Sequence, residues 1–200
     1  MIADLDATLE ALLRRELPAA IVAATAISFD APDDQFASSG IALPAIDLFL
    51  YDVRENLDLR SNEWIVERPD AGNLVRHPPP TRVDCSYLVT AWASGTSPTR
   101  AQDEHRLLAE VLKVLVRFPA LPADLLTGEL AGADPPLPVT SLTPGRLQSP
   151  AELWQALAGK PRAALNLTVT AAVVPVSEDA GPRVQERIFQ LSQGVPPPAA

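Results

Sequence analysis

Apolar residues open the chain at helical spacing. Ile2, Leu5, Leu9, Leu12 and Leu13 fall on one stripe and Pro18 ends it, which predicts a short amphipathic helix lying on a core. The period then changes. TAISFD (25–30) reads as a short strand and APDDQFASSG (31–40) as a loop. In PAIDLFLYDV (44–53), Ile46, Leu48 and Leu50 share one face, while Phe49, Tyr51 and Val53 share the other with Asp47. Apolar residues on both faces predict an inner strand. A polar turn follows, after which Trp64, Ile65 and Val66 read as a partner strand. The triple proline at 78–80 forces an extended entry into RVDCSYLVTAWA (82–93), where Val83, Cys85, Tyr87, Val89 and Ala91 alternate with Asp84, Ser86, Leu88, Thr90 and Trp92.

The second half repeats this logic. Thr99 is placed to cap a helix running to Arg117, with Gln102 as its capping-box partner and Leu108, Val111, Leu112 and Leu115 as its stripe. PADLLTGEL reads as one or two helical turns, and LPVTSL (137–142) as a short strand. A third helix begins at Pro150 after Ser149 and ends at Gly159, with Leu153, Trp154 and Leu157 on its buried side. ALNLTVTAAVVPV (164–176) is the last long strand, and RVQERIFQL (183–191) has the alternation of an edge strand. The order of elements is neither strict βαβ nor all-β. It predicts an α+β domain over 1–176, a mainly antiparallel sheet with helices packed on one face. Residues 177–200 are expected to form a C-terminal extension.

Composition narrows the function classes. The 200 residues are 47% hydrophobic and 20% charged, with 21 prolines clustered at connections and at the tail. Net charge is −9; residues 1–100 contribute −7 and residues 101–200 contribute −2. No basic stripe survives in either half, so a phosphate backbone would meet net repulsion and nucleic acid is not an expected partner. One cysteine excludes an internal disulfide framework. The N-terminus carries aspartates where a secretory leader would be basic, and no apolar run reaches the ~20 residues of a membrane span. The expectation is a chain folded in the cytoplasm.

Catalytic chemistry is sparse. No G-x-S-x-G, G-x-G-x-x-G or P-loop is present. His77 and His105 lack the spacing of metal ligands. Cys85 shares its strand face with Val83, Tyr87 and Val89 and reads as a buried, inert thiol. Asp47 and Asp84 lie in strands otherwise fit for burial, each near a sheet end or bonded to an arginine such as Arg82. A small hydrolase would need them to meet His105. Trp64, Trp92 and Trp154 are core residues or partner anchors.

Four segments in order carry a resemblance. L-Y-x-V-x-x-N-x-x-L-R (50–60) precedes P-P-x-x-V-D-x-S-Y-L-V-T-A-W (79–92), then E-H-R-L-L-A-E-V-L-K-V-L (104–115) and L-W-Q-A-L (153–157). The series, over roughly residues 1–176, resembles the cap, or tail-terminator, family of phage-tail-like extracellular contractile injection systems. Ser61 stands where the family often has Asn, and Ala109 where it often has Gly. The resemblance implies a non-enzymatic, cofactor-free protein that forms a six-fold ring of its own copies, ends the inner tube and holds the last sheath ring. It would then be a component of a particle that is released or anchored. Arg54, Asn56 and Arg60, projecting from the strand end, and Trp64 beyond them are the expected subunit contacts. Val184, Ile188 and Phe189 are the expected contacts of a C-terminal arm. A non-ring adaptor that recruits a partner or cargo protein is the alternative.

Overall fold

The computed structural model describes residues 1–67, 73–95, 98–132, 136–142, 150–174 and 178–182. They fall into two units. The first comprises Met1–Arg60 and Pro80–Val173. Its opening stripe folds as α1 (Ile2–Glu16), with Leu5, Leu9, Leu12 and Leu13 fully buried. Pro18 ends α1 and also stands at the N-cap of an unforeseen short helix, α2 (Ala19–Ala24). Its AAIVAA sequence is too short to show a period. β1 (Ala26–Ser28) then pairs parallel with β2 (Ala45–Glu55). The intervening 31–40 segment is more than a loop. It holds a 3-10 turn at Phe36–Ser38, and Phe36 stacks on Trp92 with ring centroids 4.3 Å apart.

β5 (Thr81–Trp92) lies between β2 and β7 (Ala164–Val173), antiparallel to both. β6 (Val139–Ser141) closes the far side, giving the order β1-β2-β5-β7-β6. A bulge between Leu50 and Asp52 leaves Tyr51 as the extra residue of β2. α3 (Arg100–Arg117) packs with α1 on one face, where Val111 and Leu115 join the α1 leucines over Ile46, Leu48, Tyr87, Val89, Leu167 and Val169. Tyr87 donates to Asp6 Oδ1 at 2.7 Å and ties α1 to the central strand. This is the α+β architecture that the periodicity predicts. Thr99 occupies the N-cap of α3, but its hydroxyl donates to Asp103 Oδ2 at 3.2 Å rather than closing a capping box. α4 (Pro150–Ala156) begins at Pro150, and its Trp154 is buried.

The second unit comprises Ser61–Pro79 and the chain from Val174 onward. Its sheet is β3 (Ile65–Glu67), β4 (Asn73–His77) and β8 (Glu178–Pro182), all antiparallel. Here the sequence reading is corrected. Ile65 and Val66 do not extend the main sheet but pair with His77 and Arg76. Both edges of β2 are already occupied, by β1 and β5. The strand expected over 183–191 lies outside the described residues.

Asp47 sets the pH dependence of the main sheet. It is fully buried opposite Thr90, whose hydroxyl donates to Oδ2 at 3.4 Å, and Oδ1 has no hydrogen bond among the described residues. Burial outweighs that hydroxyl and pushes the carboxyl up from 3.8 to about 8. The folded chain therefore holds a proton here that the unfolded chain releases. The associated stability is full below pH ~4 and is lost as pH rises through about 8, with a slope up to ~1.4 kcal/mol per pH unit. Asp47→Asn should flatten that slope in urea midpoints measured from pH 4 to 8.5, and should be more stable than wild type at the upper end. An unchanged slope would show that Asp47 is ionised in the folded chain.

Candidate functional site

The residues with catalytic potential are not assembled. Asp47 pairs with the Thr90 row and Asp84 lies roughly 20 Å away along β5. Both are on the sheet face opposite α1 and α3, whereas His105 is exposed on α3. Cys85 is buried on the helix face, and burial, with Asp6 and Asp84 nearby, pushes its thiol up to about 11. Among the described residues no three His, Cys, Asp or Glu side chains converge as a metal would require, and no helix is long and apolar enough to cross a membrane.

What the fold does build is a hydrogen-bonded turn where β2 leaves the sheet. The Asn56 backbone N–H donates to Arg82 O at 2.8 Å. Its side-chain Nδ2 donates to Asp84 Oδ1 and Oδ2 at 3.0 and 3.2 Å, and its Oδ1 accepts the Leu59 N–H at 3.1 Å. Asp84 Oδ1 also accepts from the Thr170 hydroxyl at 2.7 Å. One carboxylate on the central strand thus holds the turn, β5 and β7 together. Residues Leu57–Leu59 form a single 3-10 turn. Leu57 is 68% and Leu59 52% exposed.

This arrangement changes the expected roles. Asn56 does not project toward a neighbour. Its amide is spent inside its own unit, because Asp84 needs donors where water is excluded. Arg54 and Arg60 do project; Arg54 Nε pairs with Asp52 at 2.5 Å and Arg60 Nε with Glu55 at 3.4 Å. Sequence reasoning passed over Leu57 and Leu59, which share no period with the strand before them. Trp64 belongs to the second unit, is 44% exposed, and carries the Arg76 guanidinium 4.8 Å above its ring. Val184, Ile188 and Phe189 lie outside the described residues.

A second fixed cluster surrounds Trp92. The Arg162 guanidinium lies 3.3 Å from the ring centroid, Nη1 donates to Ala91 O at 3.3 Å, and Glu104 Oε1 is 3.5 Å from the same nitrogen. Glu104 also holds Arg100 at 3.0 Å. These contacts join α3 to the end of β5.

The model of the Pvc16 N-terminal domain family matches residues 4–186. Two solved structures are similar along nearly the whole chain. One is the sheath/tube terminator of an extracellular contractile injection system, PVC, in its extended state, with a TM-score of 0.70 and 26% identity over 98% of this chain. The other is the tube-terminating cap of the anti-feeding prophage, with a TM-score of 0.66 and 27% identity over 96% of this chain. This chain spans 64% and 62% of those two chains, a little under two thirds of each. No curated protein sequence matches.

The turn geometry has a measurable consequence. Asn56→Ala removes two donors from a buried carboxylate and the acceptor of the Leu59 N–H, and should cost about 1–3 kcal/mol. Amide exchange at Leu59 should accelerate more than exchange in β5. Equal acceleration throughout the sheet would mean that Asn56 has no special hold on the turn.

Proposed function

The chain belongs to the Pvc16 N-terminal domain family, and on that premise we propose that it is the body of a cap closing the inner tube of a contractile injection system. The observation that carries this reading is the likeness to two terminators that extends over 98% and 96% of the chain. A tube end presents subunit faces that would otherwise accept another ring. A terminator must match that face and offer, on its far side, one that does not polymerise. Copies arranged as a six-fold ring meet both demands, provided each contact is heterologous and the rotation closes. The chemistry of the site is compatible with this reading: it offers exposed leucines and arginines on a hydrogen-bonded turn, suited to contact with another protein surface. Sheath subunits are the second partner in this reading, and the protein acts as a component of the assembled particle.

Purified chain added to polymerising tube subunit should shorten the tubes and leave a distinct density on one end of each, seen by negative-stain microscopy. Arg54→Ala with Arg60→Ala should remain folded by circular dichroism but lose that density. Tubes of unchanged length with bare ends would overturn the capping reading. A chain that binds a partner stoichiometrically yet never sits at tube ends would be the non-ring adaptor instead.

A further inference from the structure

We propose that Asp47 and Arg162 form a proton-controlled latch over Trp92. With the Asp47 carboxyl protonated, Arg162 stays on the indole and shields it. Once that carboxyl ionises, Arg162 turns toward it and opens the indole to the neighbouring cavity. The latch does not depend on the capping reading.

Two buried side-chain atoms, Asp47 Oδ1 and Arg162 Nε, have no hydrogen bond among the described residues. They belong to one cluster. Trp92 Nε1 donates to the Thr90 hydroxyl at 3.0 Å, and that hydroxyl donates to Asp47 Oδ2 at 3.4 Å. The Arg162 guanidinium rests 3.3 Å from the centroid of the same indole. One hydroxyl and one ring therefore separate an unbonded carboxyl oxygen from an unbonded N–H. A protonated Asp47 has no charge to draw the guanidinium across. Arg162 is held instead through Nη1, by Ala91 O at 3.3 Å and Glu104 Oε1 at 3.5 Å. The same Glu104 oxygen accepts from Arg100 Nε at 3.0 Å and from the Ala93 N–H at 3.4 Å. Arg162 is its most distant partner and can leave at little cost. Burial lowers the Arg162 guanidinium from its ordinary value, the mark of a cation short of counter-charge.

Four side chains bear on Asp47. Thr90 faces it from β5 and Ser28 from β1, with Asp30 just beyond Ser28 and Arg162 just ahead of β7. Asp30 opposes ionisation, and Arg162 is the cation that favours it. An ionised Asp47 needs a charged donor in its fully buried site, and Arg162 supplies one from within the cluster. Trp92 itself is 4% exposed. Phe36 stacks on it with centroids 4.3 Å apart. Two groups this close to one centroid cannot share a face, so Phe36 and Arg162 enclose the indole between them. A cavity of about 180 Å³ lies beside it, with Trp92, Arg162, Arg100, Lys160, Asp33 and Asp34 in its lining. Moving the guanidinium off the ring uncovers an aromatic wall of that cavity.

Acrylamide quenching of tryptophan fluorescence from pH 6 to 9.5 tests the latch in the full chain. The quenching constant should rise several-fold through a midpoint near 8, with far-ultraviolet circular dichroism unchanged. The Trp92→Phe chain measures the background from Trp64 and Trp154. Asp47→Asn should hold quenching at its low-pH level throughout. Arg162→Gln should quench readily already at pH 6. It should also raise the Asp47 midpoint, read from the carboxyl NMR shift, by about half a pH unit or more. Arg162→Lys keeps the charge and should bring that midpoint back toward wild type. A quenching rise that survives Asp47→Asn, or one that accompanies loss of circular dichroism, overturns the latch. So does an Asp47 midpoint that is the same in wild type, Arg162→Gln and Arg162→Lys.

Discussion

The main sheet depends on β5 being paired along both edges and buried on both faces. Its backbone is bonded to β2 and β7. Cys85, Tyr87, Val89 and Ala91 face the helices, and Asp84, Ser86, Thr90 and Trp92 face the other way, all buried. Everything positioned in the first unit is positioned against that strand. α1 is fixed to it through Tyr87 and Asp6, the Phe36 segment through Trp92, and the turn after β2 through Asp84. A strand with no free edge cannot recruit another strand, so a partner must dock on turns, helix faces or the outer strands.

The two faces of β5 also fix its register. On the outer face, polar rungs cross the sheet: Tyr51 to Asn166 at 2.6 Å, Ser86 with Thr168 at 3.2 Å, and Thr170 to Asp84 at 2.7 Å. A one-residue slip would carry Asp84, Ser86 and Thr90 into the leucine-lined side and break every rung. The polar face is therefore costly to misplace, and this specifies a single pairing more sharply than apolar packing alone. It also gives carboxylates a structural place in inner strands. Asp84 is satisfied by hydroxyl and amide donors, and burial keeps Asp47 protonated through neutral pH.

Much of this was legible in the order of residues. Hydrophobic periods located α1, β2, β5, α3 and β7, because each is long enough to show its repeat. The four ordered segments pointed to the family that the match over residues 4–186 establishes. The second sheet was not legible. β3 has three residues and β4 and β8 five each, too short for alternation to speak, and the pairing of Ile65 depends on β2 having no edge left. The site was half legible. The turn after β2 stood out by its polarity, but polarity suggested that Asn56 points outward. Its acceptor, Asp84, is 28 residues further along the chain, and no local pattern carries that pairing. The leucines within the turn were passed over for the same reason, since their exposure follows from where Asn56 anchors the backbone.

That anchoring bears directly on the proposed capping role, which requires a fit to another surface. Two exposed leucines on a loose loop would gain little by burial, because ordering the loop offsets much of the gain; side chains alone lose roughly 0.5–1.5 kcal/mol each when immobilised. A loose apolar loop would also adapt to many surfaces and so discriminate poorly among them. Here the ordering is done during folding. Asn56 bonds a carboxylate that Thr170 already holds, and the 3-10 turn closes over it. The leucines are presented in one geometry before any partner arrives, with Arg54 and Arg60 held beside them by Asp52 and Glu55. Exposed apolar residues are a solubility hazard, and a net charge of −9 counters it by keeping copies apart until a complementary surface overcomes the repulsion. Fixed shape and like charge together favour association only where the fit is good, the selectivity that the proposed capping role would demand.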